Sequence, residues 1–302
     1  MAAKQTTRAI VSQRFFRKML LLSFMLTLSS SISSAFAVTH SNTRLNMSIK
    51  GGSNEDTEDK LVIVTGGARG IGKATCLLLA SRGYHVALNY RSNEKAALQV
   101  VNEITSSHGD NVANAFQADV SQEQEVEQLF SDVIKHFGRN PTSLVCNAGV
   151  MEPMEKDITK ITKETLDKDF ATNTYGPFFC VREFVKLTST KNGGKGGSIV
   201  NVSSVSADGG QIVAYAMSKC AMEAMVNGIA KTLPLEGIRI NTVVPGLIDT
   251  GMATPEQIEI LSGVIPMRRA GEPNEIAKAI AFLLSDESSY CTGTRLKASG
   301  GL

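Results

Sequence analysis

Tyr215 and Lys219 stand four residues apart in this chain, a spacing that could support proton transfer. In a helix this spacing places both side chains on one face. A neighbouring ammonium group favours the phenolate form of tyrosine, whose pKa is ordinarily about 10. Such a tyrosine can donate a proton to a carbonyl oxygen or accept one from an alcohol. The same pattern also occurs on ordinary solvated helices, so its meaning depends on the elements that surround it.

A glycine-rich turn lies about 150 residues upstream of this pair, between an apolar run and a helical pattern. Residues 61–64 are apolar and mostly β-branched, which predicts a buried strand. Gly66 and Gly70 would let the backbone approach a pyrophosphate, and Gly72 would let the following helix pack closely against the sheet. The N-terminus of that helix would offer free N–H groups to phosphates. The sequence therefore predicts a dinucleotide site here, whereas an ordinary tight turn is the plainer alternative.

Further motifs follow the turn in a fixed order along the chain. They are Asp119 and Val120 after a predicted strand, Asn147-Ala148-Gly149 after the next, Asn173 within a predicted helix, Ser203-Ser204 at a strand end, and Pro245-Gly246 with Thr250 after the sixth strand. Together with the Thr65–Gly72 turn, this set resembles the short-chain dehydrogenase/reductase family over roughly residues 60–302. The resemblance implies hydride transfer between a nicotinamide cofactor and a carbonyl or alcohol.

The resemblance also implies a role for each candidate catalytic residue. Tyr215 would exchange the proton, and Lys219 would lower the tyrosine pKa and bind the nicotinamide ribose. Ser204 would hold the substrate oxygen, with Ser203 as a possible substitute. Asn173 would hold a water molecule that links Lys219 to a proton relay. No metal is implied.

The cofactor-binding residues implied by the family are more numerous. They are Thr65, Gly66, Arg69, Gly70, Ile71, Gly72, Tyr90, Arg91, Asp119, Val120, Asn147, Ala148, Gly149, Pro245, Gly246, Ile248 and Thr250. The second strand ends without the acidic residue that binds the ribose hydroxyls of NAD. Arg69 and Arg91 can instead pair with a 2′-phosphate, so NADP(H) is predicted over NAD(H).

Two departures from the family pattern stand close to the site. Cys146 replaces the asparagine that often precedes Asn147, so one amide that would stabilise a turn is missing. The interval between Ser204 and Tyr215 is about two residues shorter than is common in the family. Because this interval borders the substrate pocket, it puts an inherited substrate assignment in doubt.

The alternation of strand and helix patterns predicts an α/β fold, a Rossmann-type doubly wound parallel sheet with helices on both faces. Strands are predicted near 61–65, 84–90, 112–118, 143–146, 197–203, 237–243 and 293–297. Helices are predicted near 71–82, 93–107, 121–137, 162–190, 213–233 and 273–285. The less regular residues 250–266 follow the sixth strand and would form a substrate lid.

Residues 1–59 differ from the rest of the chain and are predicted to be a targeting presequence and hinge before a single domain at 60–302. No acidic residue precedes Glu55. Basic residues, a short apolar run at 19–28 and small residues ending at Ala37 form the pattern of a secretory signal. The following 38–52, rich in Ser, Thr and Asn, is similar to a transit peptide. The combination resembles the bipartite plastid presequences of algae with secondary plastids, while a mitochondrial or secretory route and a membrane anchor are the alternatives.

Composition limits the possible partners. The chain has a formal net charge of +2, and because the excess of basic residues lies in the presequence, it gives no support for nucleic-acid binding. No membrane association is expected after leader removal. The five cysteines show no metal or redox spacing and are predicted to be free, buried thiols. By family resemblance, a homodimer or homotetramer would form through the helices near 162–190 and 213–233 and through the last strand.

Three functions are compatible with these residues. The first is an NADPH-dependent carbonyl reductase, with a 3-oxoacyl-carrier-protein reductase as its attractive form, in which residues 160–163 and 268–269 could meet an acidic carrier protein. The second is a sugar or polyol dehydrogenase, which would share all the catalytic residues. The third is a non-catalytic nucleotide-binding scaffold, which the intact Ser204, Tyr215 and Lys219 disfavour.

Overall fold

The computed structural model describes residues 60–151, 154–251 and 255–302. The predicted presequence, 1–59, lies outside the described residues, as do residues 252–254 of the predicted lid. The rest of the predicted lid can be compared with the structure.

The seven predicted strands all form, in one sheet whose neighbouring pairs are all parallel. The strands are β1 (Leu61–Val64), β2 (His85–Tyr90), β3 (Ala113–Gln117), β4 (Ser143–Cys146), β5 (Gly197–Val202), β6 (Ile238–Pro245) and β7 (Arg295–Ala298). Their order across the sheet is β3-β2-β1-β4-β5-β6-β7. The predicted doubly wound Rossmann-type sheet is therefore confirmed.

The helices follow the prediction with two differences. They are α1 (Gly70–Ser81), α2 (Glu94–His108), α3 (Glu123–Phe137), α4 (Lys163–Phe170), α5 (Gly176–Thr188), α6 (Val213–Ile229), α7 (Pro255–Ser262) and α8 (Pro273–Leu284). The single helix predicted over 162–190 is wrong, because a π-helical turn at Ala171–Tyr175 separates α4 from α5. The segment predicted to be irregular contains α7. No helix in the described part of the chain is both long and apolar enough to cross a membrane.

Two hydrophobic cores hold the helices on opposite faces of the sheet. Side chains alternate along β1, so that Val62 and Val64 join one core while Leu61 and Ile63 join the other. The first core packs against α1, α2 and α8, and the second packs against α3, α5 and α6. Burial on both faces explains why β1 is continuously apolar, whereas the edge strands β3 and β7, which are less buried, carry polar residues.

The sheet order reverses between β1 and β4, because the chain runs outward through β2 and β3 and then returns to the other side of β1. At such a switch point, the loops at the carboxyl ends of the strands separate and leave a crevice. The glycine turn follows β1 and the Asn147 motif follows β4, so the fold places both motifs at this crevice.

Candidate active site

The glycine turn has the backbone shape that its composition predicts. Gly66 and Gly70 have φ angles of 64° and 53°, in the left-handed region that favours glycine. A Cβ atom on Gly72 would lie 2.2 Å from the carbonyl oxygen of Gly66 and 2.6 Å from Nδ2 of Asn147. The first turn of α1 therefore lies directly against the end of β1, and only glycine fits at that contact.

The N-terminus of α1 fits the phosphate groups of a dinucleotide. Arg69 precedes the helix in extended conformation, no side chain caps the helix, and its first turn carries no acidic residue. Its N–H groups and partial positive charge remain available to an anion. Arg69 and Arg91 are both exposed, and among the described residues no acidic side chain pairs with either guanidinium.

Replacing Gly72 with alanine tests this close contact. We expect Gly72→Ala to weaken NADPH binding by more than tenfold and to lower the free energy of unfolding by about 1–3 kcal/mol, because the added methyl group meets fixed backbone. Gly228→Ala is the matched control, since a Cβ atom there meets nothing and alanine favours the helix by up to about 1 kcal/mol. Cofactor fluorescence titration and thermal unfolding would measure both effects, and equal behaviour of the two variants would contradict the assignment.

Thr65 and Asn147 join the ends of β1 and β4. The Thr65 hydroxyl accepts hydrogen bonds from the backbone N–H groups of Asn147 and Ala148, each at 3.0 Å. The Asn147 amide donates to the carbonyl oxygens of Thr65 at 3.0 Å and Gly66 at 3.1 Å. Both side chains are thus used to hold the glycine turn, and their place in the cofactor site is to shape it.

Asn89 is a site-building residue that the sequence analysis missed. Its buried side chain accepts a hydrogen bond from the N–H of Gly66 at 3.3 Å and donates to the carbonyl oxygen of Ala118 at 3.0 Å. It therefore fastens the glycine turn to the ends of β2 and β3. The available signal was an amide within an otherwise apolar strand, where a buried polar group requires partners.

The other residues of the predicted cofactor set fall into two groups. Tyr90, Val120 and Pro245 are buried, and Val120 packs against Gly176, so their side chains form the wall of the crevice. Gly149 is exposed, and the partly exposed members are Ile71, Asp119, Ala148, Gly246, Ile248 and Thr250. Thr250 lies beside the glycine turn, since a Cβ atom on Gly70 would be 3.0 Å from its Cγ2.

Tyr215 and Lys219 lie on one face of α6, as their spacing predicts. The Lys219 Nζ atom lies 5.7 Å from the centroid of the Tyr215 ring and donates to the carbonyl oxygen of Val202 at 3.0 Å. Ser204 follows β5, and its hydroxyl lowers the pKa of Tyr215, so the two side chains are neighbours. The structure thus brings the three predicted groups together at the carboxyl edge of the sheet.

The electrostatics of the pair differ from the simple expectation. Burial raises the pKa of Tyr215, and the negative charge of Asp169 acts in the same direction, while the Ser204 hydrogen bond lowers the pKa. Burial lowers the pKa of Lys219 to about 8. The group that favours the phenolate form of Tyr215 is therefore the Ser204 hydroxyl. The sequence had predicted that the charge of Lys219 would do so.

The structure distinguishes the two neighbouring serines. The buried Ser203 hydroxyl donates to Glu223 Oε1 at 2.5 Å and is thereby engaged away from Tyr215. The partly exposed Ser204 caps a short 3₁₀ turn at Val205–Asp208 by accepting from the N–H of Ser206 at 3.1 Å. Of the two, Ser204 is the residue whose hydroxyl meets the tyrosine.

Asn173 lies in the π-helical turn and has a fully buried side chain. Its Oδ1 accepts from the N–H of Val150 at 2.9 Å, and its Nδ2 donates to the Val150 carbonyl at 2.8 Å and to the Ser218 hydroxyl at 3.0 Å. A Cβ atom on Gly149 would lie 3.1 Å from this Oδ1 and 3.3 Å from the Lys219 Nζ atom. Asn173 therefore ties the loop after β4 to α6 beside the lysine.

The cysteines agree with the prediction in part. All five are free; Cys76, Cys146 and Cys180 are buried, but Cys220 is exposed, contrary to expectation. A hydrogen bond with Cys180, together with burial, raises the pKa of Cys146 well above its usual value, so this thiol is not a ready nucleophile. Within the described residues, no three His, Cys, Asp or Glu side chains gather as a metal site requires.

Comparison with known proteins identifies oxidoreductases. A family model described as "Enoyl-(Acyl carrier protein) reductase" matches residues 66–302. An uncharacterized oxidoreductase of Escherichia coli, YgfF, is 42% identical over 248 residues, which are 80% of this chain and 99% of that protein. A glucose and ribitol dehydrogenase homolog of Oryza sativa is 34% identical, covering 81% and 86%.

Two further similarities bear on the reaction. A 3-oxoacyl-[acyl-carrier-protein] reductase of Synechocystis is 34% identical over 80% of this chain and 96% of its own. The crystal structure of the angucycline C-6 ketoreductase LanV with bound NADP superposes with a TM-score of 0.73 at 33% identity, covering 80% of this chain and 95% of that one. The chain belongs to the short-chain dehydrogenase/reductase family. It is an oxidoreductase that uses a nicotinamide cofactor.

Proposed function

We propose that this protein is an NADP(H)-dependent carbonyl reductase that reduces a 3-oxoacyl thioester, with Ser204, Tyr215 and Lys219 as its catalytic residues. The observation that carries the proposal is the placement of Ser204 at the end of β5 beside Tyr215, with the buried Lys219 one helical turn away and bonded to Val202 on the same strand. A hydroxyl donor and an acid are thus placed together where a carbonyl oxygen could meet both.

Each residue has a distinct task in this proposal. The bound nicotinamide supplies the hydride in reduction or accepts it in oxidation. The Tyr215 hydroxyl donates a proton to the substrate oxygen, while the Ser204 hydroxyl donates a hydrogen bond to the same oxygen and stabilises its developing charge. Lys219 holds a positive charge beside Tyr215, and Asn173 fixes the neighbouring backbone around Val150.

The preference for NADP(H) rests on two exposed guanidinium groups. The N–H groups of Gly66 and Gly67 donate to the side-chain and backbone oxygens of Asn89 and bring the glycine turn against the end of β2. Arg69 and Arg91 follow these two segments in the sequence. Neither has an acidic partner within the described residues. A 2′-phosphate would give both arginines a charged partner with bidentate geometry.

Removing either arginine should change the choice of cofactor. We expect Arg69→Ala or Arg91→Ala to weaken NADPH binding about 10- to 100-fold, the equivalent of one charged hydrogen bond, and to leave NADH binding unchanged. Arg82→Ala is the control, because Arg82 is exposed at the opposite end of α1. Equilibrium titration with both cofactors would measure the effect, and an equal loss of NADH and NADPH affinity would contradict the proposed preference.

The proposal that the substrate is a carbonyl compound rests on the names of similar proteins and not on the shape of a pocket. The 3-oxoacyl reductase and the ketoreductase LanV act on carbonyl compounds by their names, whereas the rice homolog carries the name of a sugar and polyol enzyme. Turnover of acetoacetyl-CoA, glucose, ribitol and simple ketones by the full chain would separate these possibilities. Faster turnover of glucose or ribitol would favour the dehydrogenase alternative, and no turnover of any of them would favour the scaffold.

Three of the four basic residues suggested for carrier-protein docking are already paired. Lys160 contacts Asp157 at 3.6 Å, and Lys163 contacts Asp167 at 2.5 Å. Arg269 lies 2.7 Å from Glu275, whereas Arg268 donates to the carbonyl oxygen of Gly263. Because most of these charges are paired within the chain, they give little support for an acidic carrier, and we propose the small acyl thioester itself as the substrate.

Self-association through α5 and α6 is part of the proposal. Tyr175 and Phe178 at the start of α5, together with Met217 on α6, are large apolar side chains about half exposed. Exposed apolar side chains on neighbouring helices are typical of surfaces that bind another protein. They support a homodimer or homotetramer formed through these helices.

A further inference from the structure

Four charged side chains from distant parts of the sequence form one connected group beside the catalytic serine. These side chains, here called the ion-pair network, are Asp208, Glu223, Arg295 and Lys297. The two acidic and two basic groups balance in charge. None of them belongs to the site residues predicted from the sequence.

The network is continuous from β5 to β7. The Ser203 hydroxyl donates to Glu223 Oε1 at 2.5 Å, and the other carboxylate oxygen of Glu223 accepts from Arg295 Nε at 2.9 Å. The Arg295 Nη2 atom donates to Asp208 Oδ1 at 2.6 Å. The Lys297 Nζ atom lies 3.1 Å from Asp208 Oδ2. Every carboxylate oxygen in the network therefore has a donor.

The network holds Ser204 from both sides. Ser203 immediately precedes it, and Asp208 ends the 3₁₀ turn that Ser204 caps. Glu223 lies on α6 one turn beyond Lys219 and two turns beyond Tyr215, so it shares their helix face. The same network that fixes the serine loop is thus anchored on the helix that carries the tyrosine.

The loop between Ser204 and Tyr215 depends on such an anchor. After Asp208 the chain turns through Gly209, whose φ angle is 112°, and then Gly210. The exposed fraction of the side chain is 44% for Asp208 and 33% for Arg295, and ion pairs at this exposure contribute little to global stability. Their effect is therefore expected in the placement of the loop more than in the stability of the fold.

We propose that Asp208 and Arg295 are positioning residues that hold the short loop so that the Ser204 hydroxyl meets Tyr215. The inference rests on the proposed role of Ser204. Lys297 supplies the second contact to Asp208. Glu223, on α6, bonds both to Ser203 after β5 and to Arg295 on β7, and so holds the three elements together. The short loop between Ser204 and Tyr215 is thus fixed by β7, the last strand of the sheet.

The kinetic test uses variants that remove one charge at a time. In Asp208→Asn and Arg295→Gln we expect kcat for acetoacetyl-CoA to fall about tenfold or more, because a small displacement of a positioned group has effects of this size. The KM for NADPH should stay the same. The loss in the double variant should be smaller than the product of the two single losses, since both substitutions break the contact between Arg295 and Asp208.

The pH profile supplies a readout that a merely structural role would not change. The charged groups facing Tyr215 are Lys219 on α6 and Asp169 on α4, and neither is altered in these variants. The Ser204 hydroxyl lowers the pKa of Tyr215, and alcohol oxidation requires the deprotonated tyrosine, so a displaced Ser204 should move the acidic limb of that pH profile to higher pH. Arg295→Lys, which can reach one carboxylate but not two, should fall between wild type and Arg295→Gln.

Glu223 and Glu236 form a matched pair for the control. Glu236 accepts from the Ser189 hydroxyl and the Lys191 ammonium, both at 2.7 Å, but it stands before β6, at the opposite end of the sheet from Ser204. We expect Glu223→Gln to lower kcat like the network variants and Glu236→Gln to leave it within about twofold of wild type. Equal kcat values for the two glutamine variants would overturn the proposal.

Hydrogen–deuterium exchange separates this inference from the proposed function. Residues 204–212 should exchange faster in Asp208→Asn and Arg295→Gln than in Glu236→Gln. If wild-type protein fails to turn over acetoacetyl-CoA, the proposed function fails, but the exchange rates still test the network. Unchanged exchange at 204–212 in the network variants would refute the positioning role whatever the substrate.

Discussion

Tyr215→Phe is expected to lower kcat about a thousandfold or more while NADPH binds as tightly as to wild type. The substitution removes only the phenolic oxygen, which is the group proposed to exchange the proton, and general acid catalysis contributes about 10²–10⁴ in rate. The ring remains to fill its place on α6. The loss should therefore appear in the chemical step and not in cofactor affinity.

The measurement combines single-turnover reduction of acetoacetyl-CoA with a fluorescence titration of NADPH. Tyr290→Phe is the control, because Tyr290 is fully exposed and makes no contact with the site. A Tyr215→Phe variant that keeps a tenth or more of wild-type kcat would mean that another group supplies the proton. A variant that loses both turnover and cofactor binding would show that the side chain is structural.

Ser204→Ala extends this argument, because the hydroxyl both contacts Tyr215 and lowers its pKa. The serine and the tyrosine act on the same substrate oxygen in the proposal. Their effects should therefore be less than additive when both are removed. The electrostatic contribution of the serine is tied to the placement of its loop, which connects the chemistry to the ion-pair network.

The strands could be predicted because burial on both faces leaves few polar residues in them. The central strands were found from apolar runs such as 61–64, whereas the edge strands β3 and β7 carry polar residues and are less buried. The break between α4 and α5 was missed, although Gly176-Pro177 lies at the start of α5 and such a pair marks a helix boundary. The π-helical form of the turn before it accompanies tertiary contacts of Asn173 with Val150 and Ser218, which no local pattern reveals.

The parts of the candidate site that were predicted correctly are those whose geometry follows from the spacing of residues in the sequence. Tyr215 and Lys219 share a helix face, and Gly72 contacts backbone, as the sequence predicted. Residues whose partners are far away in sequence were missed. Asn89 binds the end of β3, and Asp208 binds Arg295, 87 residues away. The sequence does not show whether a charged loop residue is solvated or forms an ion pair, because the partner can be distant in the sequence.

The direction in which the pKa of Tyr215 shifts could not be predicted from the sequence either. A cation four residues away predicts a lowered pKa, but the result depends on how deeply the phenol and the ammonium are buried. In the structure desolvation dominates for both groups, raising the pKa of Tyr215 and lowering that of Lys219. Burial is a property of the packed fold, so spacing could identify the pair but not its protonation.

The buried charge of Lys219 leads to a further expected result, a variant that is inactive and yet more stable. Burial lowers the pKa of Lys219 to about 8, compared with 10.5 in its absence. The difference corresponds to about 3 kcal/mol that the folded state loses by keeping this ammonium charged at neutral pH. Lys219→Met replaces the group with an apolar side chain of similar length.

Removing the buried charge should raise the free energy of unfolding, but part of this gain is lost. The carbonyl oxygen of Val202 no longer accepts a hydrogen bond from the Lys219 Nζ atom, at a cost of about 1 kcal/mol. We therefore expect the free energy of unfolding of Lys219→Met to exceed that of wild type by about 2 kcal/mol at pH 7. Turnover should fall at least about a hundredfold, since the ammonium group expected to bind the nicotinamide ribose beside Tyr215 is lost. Lys231→Met, at an exposed position, should change neither quantity.

The difference in the free energy of unfolding between Lys219→Met and wild type should become smaller as the pH rises. Below pH 8 the lysine is charged in both states, so wild type carries the full penalty. Between pH 8 and 10.5 the unfolded chain binds more protons than the folded one, so wild-type stability rises with pH while that of the variant does not. Denaturant unfolding at fixed protein concentration across this range would measure the convergence. A variant less stable than wild type at pH 7 would mean that the ammonium stabilises the fold, and the lysine would then be retained for structure rather than for proton transfer.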